Sequence, residues 1–236
     1  MSQLFQESVL SIEDFYKSHN YQLGWRFLNC SKSVLCSDPK IAFITLNPGG
    51  KSIPEDHPWS SCEEGNSYLN EEWGNARRGR SNLQVQIQLM FAKLAEKIDF
   101  KGNSEQLIEE SLSGYFVPFR SPRLADLDHK SHAFAFGNEL WLKILSSVHP
   151  DYFICIDRDS FKKLQPLIES TYELPIKCIK KLETGWGNYT AEIVEFGDNS
   201  EKRLLRLPHL STFKIFTSQK CTEKVDELFS EFCKKL

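Results

Sequence analysis

The stretch IAFITLNPGG, residues 41–50, decides how the chain is read. Ile41 to Leu46 is a short apolar run that follows Asp38-Pro39 and stops abruptly at Asn47-Pro48-Gly49-Gly50. A short apolar run closed by turn residues is a strand running into a loop. Upstream, Leu4, Phe5, Val9, Ile12, Phe15 and Tyr16 recur at the spacing of an amphipathic helix that reaches about His19. Downstream, residues 51–80 are polar and rich in Gly, Pro, Ser and Asn. A loop that long inside a compact domain usually serves a function.

Beyond that loop, strand and helix patterns alternate. Ser81 and Gln84 form a capping box that opens a helix with Leu83, Ile87, Met90, Phe91, Leu94, Ala95 and Ile98 on one face. Strands are expected at Gly114–Pro118, Tyr152–Ile156 and Ile176–Ile179, and helices at Phe136–Val148 and Phe161–Ser170. Tyr189–Phe196 and Lys202–Leu207 alternate around Gly197-Asp198-Asn199-Ser200, the pattern of a hairpin. A last helix from Cys221 carries Val225, Leu228, Phe229 and Phe232 on one face. No linker divides the chain, so residues 1–236 are expected to form one domain. The expected class is α/β, a three-layer α/β/α sandwich with a mostly parallel sheet and a β-hairpin in the C-terminal half. Such sheets bind ligands at the carboxyl ends of their strands. Residues 47–51, 118–123, 157–159 and 208–213 are therefore the ones to watch.

Composition narrows the partners. Apolar residues make up 40% of the 236 positions and the formal net charge is −3, which argues against a protein that coats nucleic acid non-specifically. An enzyme needs only a local basic rim. The seven cysteines include no C-x-x-C pair, which points to free thiols in a reducing cytoplasm and to no zinc or iron–sulfur site. No apolar run approaches the roughly 20 residues of a membrane span. Gly50-Lys51-Ser52 looks like the end of a phosphate-binding Walker loop. That motif needs a glycine at position 45, where this chain has Thr45, and a helix at the lysine, where Pro54 and Pro58 follow.

Three segments in order carry a resemblance. IAFITLNPGG resembles the first motif of the uracil-DNA glycosylase superfamily, YFVPFRSP its second-strand region, and RLLRLPHLSTF its second motif, a strand ending in His-Pro-Ser. Thr45 stands where the family often has Gly and Leu210 where it has Pro. The Asn that reads the pyrimidine edge near the second strand is replaced by Ser113, Gly114 and Tyr115. Asn-Pro-Gly in motif one is nearest to the mismatch-specific and single-strand-selective branches. The resemblance implies a monofunctional glycosylase without cofactor or metal, acting on DNA as an expected monomer.

The chemistry of base excision assigns candidate roles. The base must leave the stack for a pocket. Its bond to the sugar then breaks with cationic charge on the sugar and anionic charge on the base. Asn47 is the candidate to orient the attacking water, and His209 to hydrogen-bond the departing base. Taken alone, Asn47 reads as a turn residue and His209 as a satisfied strand-end histidine; it is the two motifs together that point to catalysis. Pro48, Gly49 and Gly50 would line the base pocket, and Trp59, Phe116 or Phe119 would stack on the base. Ser211 would bind a phosphate, and Phe213 and Lys214 would press into the DNA. Arg77, Arg78 and Arg80 would hold the backbone. Lys202, Arg203 and Arg206 are weaker, because alternation puts them on different faces of a strand. Two glycines after Pro48 open the C5 side of the pocket, which implies a bulky C5-modified cytosine such as the glucosylated hydroxymethylcytosine of phage DNA. The alternatives are uracil or mismatched pyrimidine, a module that binds altered DNA without cutting, and a nucleotide-handling α/β protein.

Overall fold

Alternation along the strands fixes which side chains go to which side of the sheet. The computed structural model of the chain describes residues 3–51 and 65–234. Six strands, β1 (Ile41–Thr45), β2 (Leu112–Tyr115), β3 (Tyr152–Cys155), β4 (Ile176–Glu183), β5 (Thr190–Phe196) and β6 (Lys202–Arg206), form one sheet in the order β2-β1-β3-β6-β5-β4. β1 is parallel to β2 and β3, and β3 is parallel to β6. β5 is antiparallel to both β6 and β4. The sheet is therefore mixed: a parallel four-strand half joined through the expected hairpin to an antiparallel edge.

Ala42 and Ile44 of β1, Phe153 and Cys155 of β3, and Leu204 of β6 point to one core cluster. It is completed by α1 (Gln3–Ser18), α5 (Lys130–Leu145) and α6 (Arg158–Tyr172). Ile41, Phe43, Ile154 and Leu205 point the other way. There they meet α2 (Ser67–Asn70), α3 (Asn82–Lys97), α4 (Ser104–Glu110) and α7 (Thr222–Phe232). Helices thus flank both faces, an arrangement compatible with the expected three-layer sandwich. Each fully buried aliphatic or aromatic side chain here contributes about 1.5–3 kcal/mol of transfer free energy.

Local signals explain most boundaries. Ser81 caps α3, and both halves of its capping box with Gln84 are made. Asp157 caps α6 through Ser160 N–H at 2.7 Å. Several elements differ from expectation. α4 has no counterpart among the expected helices, although Asn103 and Gln106 give it a complete capping box. α5 begins at Lys130 rather than Phe136, and β4 continues to Glu183. β2 starts at Leu112 and ends at Tyr115; beyond it, Phe116 N–H and Val117 N–H still donate to Thr45 O and Leu46 O.

Three cations on β6 prove internal. Lys202 donates to Pro150 O, Arg203 to the carbonyls of Phe232 and Lys234, and Arg206 to Glu192 at 2.6 Å. All three are buried, because the fold uses them to satisfy carbonyls and a carboxylate. The six described cysteines are free. No helix among the described residues is long and apolar enough to cross a membrane.

Candidate active site

At the carboxyl edge of the parallel half, four chain segments close around a cavity of about 670 Å³. The loop after β1 contributes Asn47, Gly49 and Gly50, and the segment after β2 contributes Arg120, Ser121 and Pro122. Asp157 follows β3, and His209 and Ser211 follow β6. Tyr68, Trp73 and Tyr115 add aromatic wall. This is where ligands sit in open α/β sheets.

Asn47 is held in a defined orientation. Its Nδ2 donates to Ser121 Oγ at 2.9 Å, Pro48 O at 3.1 Å and Phe119 O at 3.4 Å. Two of those partners are carbonyls, which only accept, and the Ser121 hydroxyl spends its own proton on Arg123 O. The nitrogen end of the amide is therefore fixed by its partners. Oδ1 carries no hydrogen bond among the described residues and remains available as an acceptor.

His209 is likewise defined. Ser211 N–H donates to His209 Nδ1 at 3.4 Å, and Ser211 Oγ lies 2.7 Å from the same nitrogen. A backbone N–H can only donate, so Nδ1 accepts and Nε2 carries the proton. The ring reaches solvent, yet the protein packed around it lowers its pKa below the ordinary 6.5 through desolvation. At neutral pH it is a neutral donor. Leu210, between these two residues, is fully buried and anchors the loop in the core.

Asp157 sits between them, just past the end of β3, the strand that lies between β1 and β6. One carboxylate oxygen caps α6, while Oδ2 is buried and has no hydrogen-bond partner among the described residues. Burial raises its pKa from 3.8 to about 6, against the opposing pull of the Ser160 hydrogen bonds. A second cavity of about 650 Å³ shares Ile156, Asp157 and His209 with the first. It continues toward Arg158, Lys181, Tyr189 and Phe213.

The structure brings some expected residues together and separates others. Asn47, Gly49, Gly50, His209 and Ser211 line one cavity. Pro48 is buried beneath it and accepts from Asn47 and from Ser121 N–H. Phe116 and Phe119 do not line it: both are fully buried, Phe116 beside Phe134 and Phe119 stacked on Tyr21 at 4.5 Å. Trp59 lies outside the described residues. Phe213 packs on Tyr189, ring centroids 4.0 Å apart, in the second cavity, and Lys214 beside it is exposed. Arg77, Arg78 and Arg80 are exposed on the loop whose earlier residues, Trp73 and Gly74, form part of the cavity wall.

Sequence reasoning missed Trp73, which meets Tyr68 edge to face at 5.5 Å. It also gave no role to Arg120, whose guanidinium donates to Gly49 O and makes no ion pair among the described residues. Arg120 lies inside the segment 118–123, so position relative to a strand end was the signal. Behind the wall, Arg26 holds Glu71 through two hydrogen bonds at 2.9 and 2.5 Å. Arg26 is only 1% exposed, so removing either partner would strand a buried charge at a cost of about 3–5 kcal/mol. Glu71 in turn accepts from Trp73 Nε1 at 3.0 Å, which ties the aromatic wall to that ion pair. No protein-family model and no curated protein matches the chain.

Proposed function

We propose that the chain is a monofunctional DNA glycosylase with a uracil-DNA glycosylase-like fold. In this reading it takes an extruded pyrimidine into the cavity and hydrolyses its N-glycosidic bond to leave an abasic site. The observation that carries the reading is the pairing of two oppositely prepared groups in one cavity. Asn47 presents a free Oδ1 acceptor, and His209 presents an Nε2–H donor. Excision needs both: an acceptor to orient water toward the cationic sugar carbon, and a donor to hold the base as it departs with negative charge. A neutral amide is a poor base, so Asn47 orients the water and the developing cation draws it in.

The favoured substrate is a cytosine with a bulky C5 group, such as glucosylated hydroxymethylcytosine, and the corresponding role is defence against phage. A Cβ added at Gly49 would meet no atom within 4 Å, which supports an open wall beside the base. Arg120 and the exposed Arg77, Arg78 and Arg80 are the proposed backbone contacts.

The test is excision on duplexes containing uracil, mismatched thymine, hydroxymethylcytosine and its glucosylated form, scored as alkali-labile sites, with Asn47→Ala alongside. Excision by the wild type and not by the variant supports the reading, and the preferred base separates defence from repair. DNA binding with no abasic site on any substrate would overturn it in favour of a non-catalytic binding module.

A further inference from the structure

We infer that Asp157 selects the ring, accepting a hydrogen bond from the exocyclic 4-amino group of an extruded cytosine and rejecting the 4-oxo group of uracil or thymine. The inference rests on the glycosylase reading and adds to it the residue that distinguishes one pyrimidine from another.

The residues near the end of β2 do not supply an amide to read the pyrimidine edge. Ser113 is fully buried, position 114 is glycine, and Tyr115 contributes a phenol. Among the described residues that line the cavity, only Glu72 and Asp157 carry a carboxylate, and Glu72 is exposed. Asp157 follows β3, the strand that lies between the two whose trailing loops supply the water-orienting amide and the base-holding histidine. A base held by His209, with its sugar carbon facing the water that Asn47 orients, would lie beside that strand end. One carboxylate oxygen is committed to the helix cap, whereas Oδ2 is out of bulk water without a donor. The terminal torsion of an aspartate is broad, so reading a ring edge with Oδ2 requires a turn of the carboxyl about that torsion. An ionised carboxylate only accepts. It therefore matches the N–H of a 4-amino group and opposes the lone pairs of a 4-oxo group, the logic by which acidic side chains read cytosine.

The experiment compares matched bases placed opposite an abasic analogue, so that neither is paired. Each ring is offered in its 4-amino and 4-oxo form with the same C5 group: hydrogen, hydroxymethyl or glucosyloxymethyl. The readout is the ratio of kcat/KM for the two forms. The wild type is expected to favour the 4-amino ring by roughly 10–100-fold. Asp157→Asn keeps an N-cap and gains a donor, so it should shift the ratio at least tenfold toward the 4-oxo ring. Asp157→Ser also keeps the cap but reads neither form, and should bring the ratio close to one. Loss of excision on both rings in equal proportion, with the ratio unmoved in both variants, would overturn the selector and leave Asp157 a helix cap. Absence of excision by the wild type on every base would instead remove the glycosylase reading, and the selector with it.

Discussion

Substituting Asp157 by Asn sets two effects against each other. Burial raises the folded-state pKa to about 6, above the 3.8 of a free aspartate. Below pH 3.8 both states are protonated and the group is neutral toward folding. As pH rises toward 6 the unfolded chain ionises first, so this carboxyl lowers stability until the folded form ionises too. The penalty at pH 8 is roughly 3 kcal/mol on that pKa difference. Asn keeps the cap and loses about 0.3–1 kcal/mol of attraction to the helix dipole. Asp157→Asn should therefore raise stability by about 1–3 kcal/mol at pH 8 and by almost nothing at pH 4, read by urea unfolding at both pH values. A carboxylate buried at such a cost in a cavity wall is a candidate for a functional role. His209→Ala should slow single-turnover excision about 100–1000-fold, as expected when one donor to a developing anion is lost. Asn47→Ala should slow it on the order of 100-fold through a misplaced water. Asn47, Gly49, Gly50, His209 and Ser211 are legible in the sequence because each closely follows a strand. Phe116 is out by one position: alternation sends Tyr115 to the cavity and Phe116 into the core against Phe134. Asp157 is legible only as part of a segment, because an N-cap and a binding carboxylate look alike in sequence.

Helix α5 gives a test in which ordinary propensity points the wrong way. Gly137 lies inside it, and Gly→Ala in a helix usually stabilises by about 1 kcal/mol. Here the added Cβ would stand 2.5 Å from Phe116 O, a backbone atom just past the end of β2. Overpacking of this kind costs about 1–3 kcal/mol. Gly137→Ala should therefore be destabilising, and a midpoint of thermal unfolding above that of the wild type would refute the close approach. Ser81→Ala should cost about 1 kcal/mol by loss of the α3 cap and leave the choice of base unchanged. Elements of strong period or strong punctuation, such as β1, α3, the β5–β6 hairpin and α7, are legible from the residues alone. α4 is not, because seven residues show barely two turns of period and the Asn103–Gln106 capping box is its single local signal. The full length of β4 is hidden by Lys177 and Lys181, which point outward on an edge strand while Ile176, Cys178, Lys180 and Leu182 alternate as the half-buried set.

Across the whole molecule, a formal net charge of −3 means that affinity for DNA has to come from a local patch. Arg77, Arg78, Arg80 and Lys214 are the exposed cations proposed for it. Replacing the three arginines by alanine should weaken binding to all DNA alike. The slope of log K against log salt should flatten by about 2.7, at about 0.9 for each phosphate no longer neutralised. An unchanged slope would place the backbone contacts elsewhere, Arg120 being the next cation to test. The strand order has a consequence for how the protein is made. β6 is the last strand in sequence but lies inside the sheet, between β3 and β5. Until residues 202–206 leave the ribosome, β3 and β5 each present a bare edge to other nascent chains, a hazard for aggregation. The same late segment carries His209 with it. A polypeptide released early would lack both the strand that joins the two halves of the sheet and the group proposed to hold the departing base.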